Sequence, residues 1–161
     1  MKNKNNDFYK KLTIIIILIA IILRFALALV YSVAGDACWQ LSAARFLAEN
    51  KRFPLFESLG RQEPFWAPPL FHVIAAFMYS LFRVYGHSAA EFGMKILSPL
   101  FGSLTLILVY FINKKLFNEK ITFYSMLFTA FVPIFMDYHI FSYIDGTVTF
   151  LIVLSIYFAL D

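Results

Sequence analysis

Ten consecutive residues, Ile14 to Leu23, carry no polar atom in any side chain. The wider apolar stretch, Leu12–Val33, is long enough to cross a hydrocarbon core about 30 Å thick. Lys2, Lys4, Lys10 and Lys11 precede it, as the basic region of a signal peptide would. The stretch is longer than a signal core, however, and no small-residue cleavage site follows it, so it reads as a retained anchor.

The same bias runs through the rest of the chain. Of 161 residues, 61% are hydrophobic and only 15% charged, where soluble domains carry about 25% charge. Four more apolar stretches follow, at Phe65–Tyr85, Met94–Phe111, Ile121–Met136 and Asp145–Leu160. The fold class this predicts is all-α, a polytopic transmembrane helix bundle with interfacial amphipathic helices in the first extracytoplasmic loop. Spans are expected at about 12–33, 94–112, 121–137 and 145–160, with interfacial helices at about 36–50 and 70–85. The net charge of +4 does not point to a nucleic-acid partner. The lysines gather at the ends of apolar runs, where cytoplasmic loops and anionic lipid heads attract them. A single cysteine, Cys38, excludes an internal disulfide and a cysteine-based zinc site.

In the helix expected over 36–50, Trp39, Ala43, Phe46 and Leu47 share one face, and Ser42, Arg45 and Glu49 the other. Arg45 and Glu49 stand one turn apart, at ion-pair spacing. Pro68 and Pro69 open the next apolar stretch rather than lying deep within it. Leu70–Tyr85 then gives about 24 Å of helix at 1.5 Å per residue. That is short for a span, and the segment reads as dipping into the outer leaflet.

Charge fixes an orientation. The basic N-terminus and the loop holding Lys114, Lys115 and Lys120 belong on the cytoplasmic side. With no crossing between Val33 and Met94, the simplest case, Asp36 and Asp145 share the outer side; if 70–85 crosses, Asp145 falls on the side opposite Asp36. Four spans with an exposed polar seam make a poor bundle alone, so the chain reads as part of a longer protein.

Asp36 opens a helix and can cap it. It can equally act as a general base, or hold a divalent cation that neutralises a phosphate leaving group. Asp145 has the same two readings, and a carboxylate at a membrane boundary is a functional candidate. Any metal would sit between Asp36 and Asp145; a divalent cation is the one cofactor these residues bring to mind. Arg24 lies inside the first span, where a lone cation costs about 2.5–3.5 kcal/mol on insertion scales. It must pair with a carboxylate or carbonyls, or contact a phosphate. Arg61, Glu63 and His72 surround Phe65, Trp66 and the Pro68–Pro69 turn. That mixture suits a lipid-phosphate and sugar site, and equally an aromatic belt. His87 and His139 read as loop residues. No Gly-Lys-Ser/Thr phosphate loop, Gly-x-Ser-x-Gly or His-Glu-x-x-His motif is present, which leaves ATP-driven transport and hydrolysis without support.

The order of these pieces resembles the GT-C glycosyltransferases, closest to the protein mannosyltransferase-like and aminoarabinose transferase-like members. Gly35-Asp36-Ala37-Cys38-Trp39 with Ala44-Arg45-Phe46-Leu47 is similar to their loop helix. Ala67-Pro68-Pro69-Leu70-Phe71 leading to Tyr85-Gly86 is similar to their next turn and helix, and Tyr110 to Phe117 to the basic end of a later span. Asp145 then opens a helix, as an aspartate does in the family. Ala37 replaces a second acidic residue, and Ala67 a lysine.

The resemblance implies transfer of a sugar from a polyprenyl-phosphate donor to a lipid or protein acceptor at the outer face of a cell membrane that the chain crosses several times. It implies Asp36 as base or metal-associated carboxylate and Asp145 as a second active-site acid. Arg24, Arg45, Arg61, Glu63 and His72 are the substrate-binding candidates. The rival expectation is a non-catalytic transporter subunit or scaffold, in which both aspartates are only caps.

Overall fold

The apolar N-terminal run forms a single helix, α1 (Lys2–Val30), in the computed structural model of the protein. The structure describes residues 2–33, 35–56, 64–65 and 67–160, with side chains from residue 5 onward. The chain is 84% helical, with no strand among the described residues. Along α1, Thr13, Ile17, Ala20, Arg24 and Ala28 are buried. Spacings of three and four residues put them on one stripe. Ile15, Leu18, Ile19 and Ile22 stay exposed on the other side, which suits a helix surrounded by lipid.

Helix α2 (Asp36–Asn50) packs on α3 (Pro69–Phe82), and α3 on α4 (His87–Lys95). Leu41, Ala44, Ala48, Phe71, Ala75, Tyr79, Ala90 and Met94 form their core. The buried face of α2 is wider than the one expected. Trp39 and Ala43 are buried as expected and Phe46 and Leu47 only half-buried, while Ala37, Leu41, Ala44 and Ala48 are covered as well. The small side chains among them let α3 approach closely. Pro69 occupies the first turn of α3, where its missing N–H costs nothing.

Helix α5 (Leu97–Leu116) continues α4 with little interruption. Together they give an apolar stretch over His87–Leu116, which starts earlier than the expected span at 94. That stretch and Asn5–Val30 are long and apolar enough to cross a bilayer. Helix α6 (Glu119–Phe131) starts at a proper cap, where the Asn118 side chain accepts from the Ile121 N–H at 3.0 Å.

Between α6 and α7 (Pro133–Ile140) the axis bends by 56°. Pro133 has no N–H to give to the carbonyl one turn back, and its ring crowds that turn. The stretch 121–137 is thus a broken helix rather than one straight rod. Arg24 spans the break. Its guanidinium donates to the Ala130 carbonyl, in the last turn of α6, and to Ala20, each at 3.0 Å. It also lies over the Phe135 ring, 5.3 Å from the centroid.

His139 is no loop residue. It sits in α7, 1% exposed, where its ring packs on two glycines. A Cβ on Gly102 would meet His139 at 2.5 Å, and one on Gly146 would lie 3.1 Å from the Tyr138 carbonyl oxygen. These glycines let α5 and α8 (Ile144–Ala159) close on α7. His87 begins α4.

Candidate functional site

Neither Asp36 nor Asp145 caps its helix. Gly35 precedes α2 with φ of 58°, and no side chain caps that end. Tyr143 precedes α8, again without a side-chain cap. Both aspartates lie within the first turn. There the helix dipole favours a negative charge, and the capping geometry expected from sequence does not hold the carboxylates.

The two helix starts face one cavity. It has a volume of about 400 Å³ and is lined by Asp36, Ile134, Asp137, Tyr138, Phe141, Tyr143 and Asp145. All three carboxylate residues are exposed. Residues 141–143 make the tight corner between α7 and α8, closed by the Tyr143 N–H donating to the Phe141 carbonyl at 2.7 Å. Tyr138 and Tyr143 meet edge to face, with centroids 5.6 Å apart. Asp137 was not singled out from the sequence, because it lies at the end of an apolar run. The signal was Pro133, which breaks that run and turns its last residues toward Asp145.

This wall of carboxylates and phenols offers many hydrogen-bond acceptors, some donors, and aromatic faces. Carboxylates bond hydroxyl groups more strongly than neutral acceptors do. The composition suits a polyhydroxylated ligand and a group that must give up a proton. Among the described residues, no set of three or more His, Cys, Asp or Glu side chains converges as a metal site would. The cavity therefore does not fit a divalent cation held by its own carboxylates alone.

The other expected site residues lie elsewhere. Arg24 is fully buried and bonded to carbonyls, the structural alternative of its two readings. His72 is also fully buried. Its Nδ1 lies 3.1 Å from the Pro68 carbonyl oxygen, and Phe65, Phe71 and Trp39 present ring edges to it. Arg45 bonds Glu49 at 3.1 Å and approaches Glu91 at 3.7 Å. It lines a different cavity, with Cys38 and Lys95. The Tyr79 hydroxyl donates to Glu49 at 2.9 Å. That bond, and then the one from Arg45, hold the Glu49 carboxyl below its ordinary range. Arg61, Glu63 and Trp66 fall outside the described residues.

Fold and composition define the class: an all-α membrane protein whose acidic cavity lies where several helix ends meet. Residues 66–161 match the family described as dolichyl-phosphate-mannose-protein mannosyltransferase. The match covers more than half of the chain, which belongs to this family of membrane glycosyltransferases of the GT-C type. No curated protein and no solved structure matches. The match includes Asp137 and Asp145 and leaves out Arg24, Asp36 and Arg45.

Proposed function

We propose that this protein transfers a sugar from an undecaprenyl- or dolichyl-phosphate donor to a lipid or protein acceptor, at the outer face of a cell membrane that it crosses several times. The observation that carries this reading is that Asp36 and Asp145, 109 positions apart in the sequence, line one cavity.

The cavity's location supports the outer face. Tyr9 and Phe123 stack with centroids 5.7 Å apart, so the start of α1 and the start of α6 share one end of the bundle. Lys10, Lys11, Lys114, Lys115 and Lys120 belong to that end. Arg24, toward the far end of α1, meets Ala130 in the last turn of α6. Asp36, Asp137 and Asp145 follow beyond, at the opposite end. Basic residues mark the cytoplasmic side, which leaves the acidic cavity on the other.

In the mechanism, the Asp36 carboxylate accepts the proton of the acceptor hydroxyl or amine. The acceptor oxygen or nitrogen attacks the anomeric carbon, the bond from that carbon to the phosphate oxygen breaks, and the lipid phosphate leaves with the electron pair. Attack opposite the leaving group inverts the anomeric centre. Asp145 and Asp137 accept hydrogen bonds from sugar hydroxyls, and Tyr138 and Tyr143 offer ring faces to the sugar's C–H groups.

The test is Asp36→Asn, assayed in membranes with a polyprenyl-phosphate-linked sugar. A positioned base contributes about 10²–10⁴-fold, and transfer should fall by that order while the protein level is unchanged. A normal rate would remove Asp36 from the chemistry.

A further inference from the structure

Asp36 stands five positions after Tyr31, the first residue beyond α1. The connection between them is closed by its own bonds. The Cys38 N–H donates to the Gly35 carbonyl at 3.0 Å, and the Cys38 thiol to the Val33 carbonyl at 3.3 Å. Whatever fixes Tyr31 therefore fixes the start of α2, and the Asp36 carboxylate with it.

Tyr31 is held from two sides. Lys95, the last residue of α4, donates its ammonium to the Tyr31 carbonyl. Carbonyls at a helix C-terminus lack intrahelical partners, and the helix dipole favours a cation beside them. This cation comes from another helix, so the bond ties the end of α1 to α4. Glu91, one turn earlier on α4, faces Arg45 at 3.7 Å instead. On the other side, the Tyr31 ring meets the Phe141 ring with centroids 5.8 Å apart. Phe141 belongs to the corner between α7 and α8 and lines the acidic cavity together with Asp145.

The rod formed by α4 and α5 also supports that corner. Gly102 lies seven positions after Lys95. Seven residues at 3.6 per turn fall about 20° short of two full turns, so Lys95 and Gly102 share one side of the rod. Gly102 makes room for the His139 ring of α7, and Phe101 meets Phe150 of α8 with centroids 5.3 Å apart. One rod thus takes α7 and α8 around Gly102 and the end of α1 at Lys95. Asp36 and Asp145, from distant parts of the chain, are referred to a common support.

We propose that Lys95 is a positioning residue for sugar transfer. By holding the Tyr31 carbonyl it sets Asp36 against the α7–α8 corner, so that the base and the sugar-binding carboxylates serve one substrate. Lys95 acts through the backbone and does not touch the reacting atoms. Its part in transfer rests on the function proposed above; the clamp on α2 does not.

Two measurements on the full chain test this. Spin labels on Ser42→Cys in α2 and Val148→Cys in α8, both exposed, report the distance between these helices by pulsed electron resonance. The background is Cys38→Ser, which keeps a donor for Val33. Lys95→Met, which removes the ammonium, should broaden the distance distribution, and Lys95→Arg, which keeps a cationic donor, should restore it. In membranes with a polyprenyl-phosphate-linked sugar, Lys95→Met should lower kcat by about tenfold or more, since misplacing a group by about 1 Å costs up to about 10²-fold. KM should stay unchanged, and Lys95→Arg should recover most of the loss. An unchanged distance distribution in Lys95→Met would overturn the proposal. So would a raised KM at unchanged kcat, which would make Lys95 a direct contact to the substrate. The distances are read whether or not Asp36→Asn transfers sugar, so failure of the clamp and failure of the proposed chemistry are told apart.

Discussion

Arg24 and the three aspartates of the cavity are all charged groups in an apolar chain, yet the structure treats them in opposite ways. Arg24 is fully buried and donates to two carbonyls at 3.0 Å. One of these belongs to the last turn of α6, where helix carbonyls lack partners of their own. Asp36, Asp137 and Asp145 are exposed, and no side-chain cap holds the starts of α2 and α8. A charge fixed by backbone partners holds a broken helix together. Charges left without such partners, facing a cavity, are available for chemistry.

The largest effect expected from breaking this contrast is on the Asp36 side. Asp36→Asn should cost about 10²–10⁴-fold in transfer and leave stability within about 0.5 kcal/mol, as for other surface changes. Arg24→Ala should do the reverse. It leaves the buried Ala130 carbonyl without its donor, at about 1–3 kcal/mol, while transfer per folded molecule stays near normal. Thermal unfolding in detergent beside the transfer assay separates the two. An Arg24→Ala protein of native stability that fails in transfer would reassign Arg24 to the substrate.

A smaller effect tests how the aspartates are held. A Cβ at Gly146 would lie 3.1 Å from the Tyr138 carbonyl oxygen and 3.4 Å from the His139 ring. Gly146→Ala should therefore push the start of α8, and Asp145 with it, away from α7. The crowding should cost about 1 kcal/mol and lower transfer a few-fold. Full activity in this variant would mean that Asp145 need not sit where the corner holds it.

The helical class was legible because long apolar runs without charge leave few alternatives. Asp36 and Asp145 were legible as acidic residues opening helices. What those residues do there was not, because capping depends on side-chain geometry that spacing does not reveal. Asp137 stayed hidden within an apolar run whose bend at Pro133 turns it toward Asp145. The burial of His139 depends on Gly102 and Gly146, both close in space and one of them far along the chain. Likewise the covered face of α2 includes Trp39 and Ala43 as expected but extends to Ala44 and Ala48, small residues whose close packing on α3 hydrophobicity alone does not weigh.

Arg45 and Glu49 form an intermediate case between the bonded cation and the uncommitted carboxylates, and they give the smallest prediction. Glu49 accepts from the Tyr79 hydroxyl at 2.9 Å and from Arg45 at 3.1 Å, and these bonds keep its carboxyl below the ordinary range. A carboxyl depressed by folding adds stability that is present above its unfolded pKa and lost as pH falls through the folded value. The native protein should therefore lose a small part of its stability on acidification below the usual glutamate range, and Glu49→Gln should lack that part. Exposed pairs of this kind contribute little, so the difference in unfolding midpoint should be slight near neutral pH and vanish in acid. A difference that persists or grows as pH falls would show that Glu49 acts through packing, and would place this pair with Arg24 as part of the scaffold.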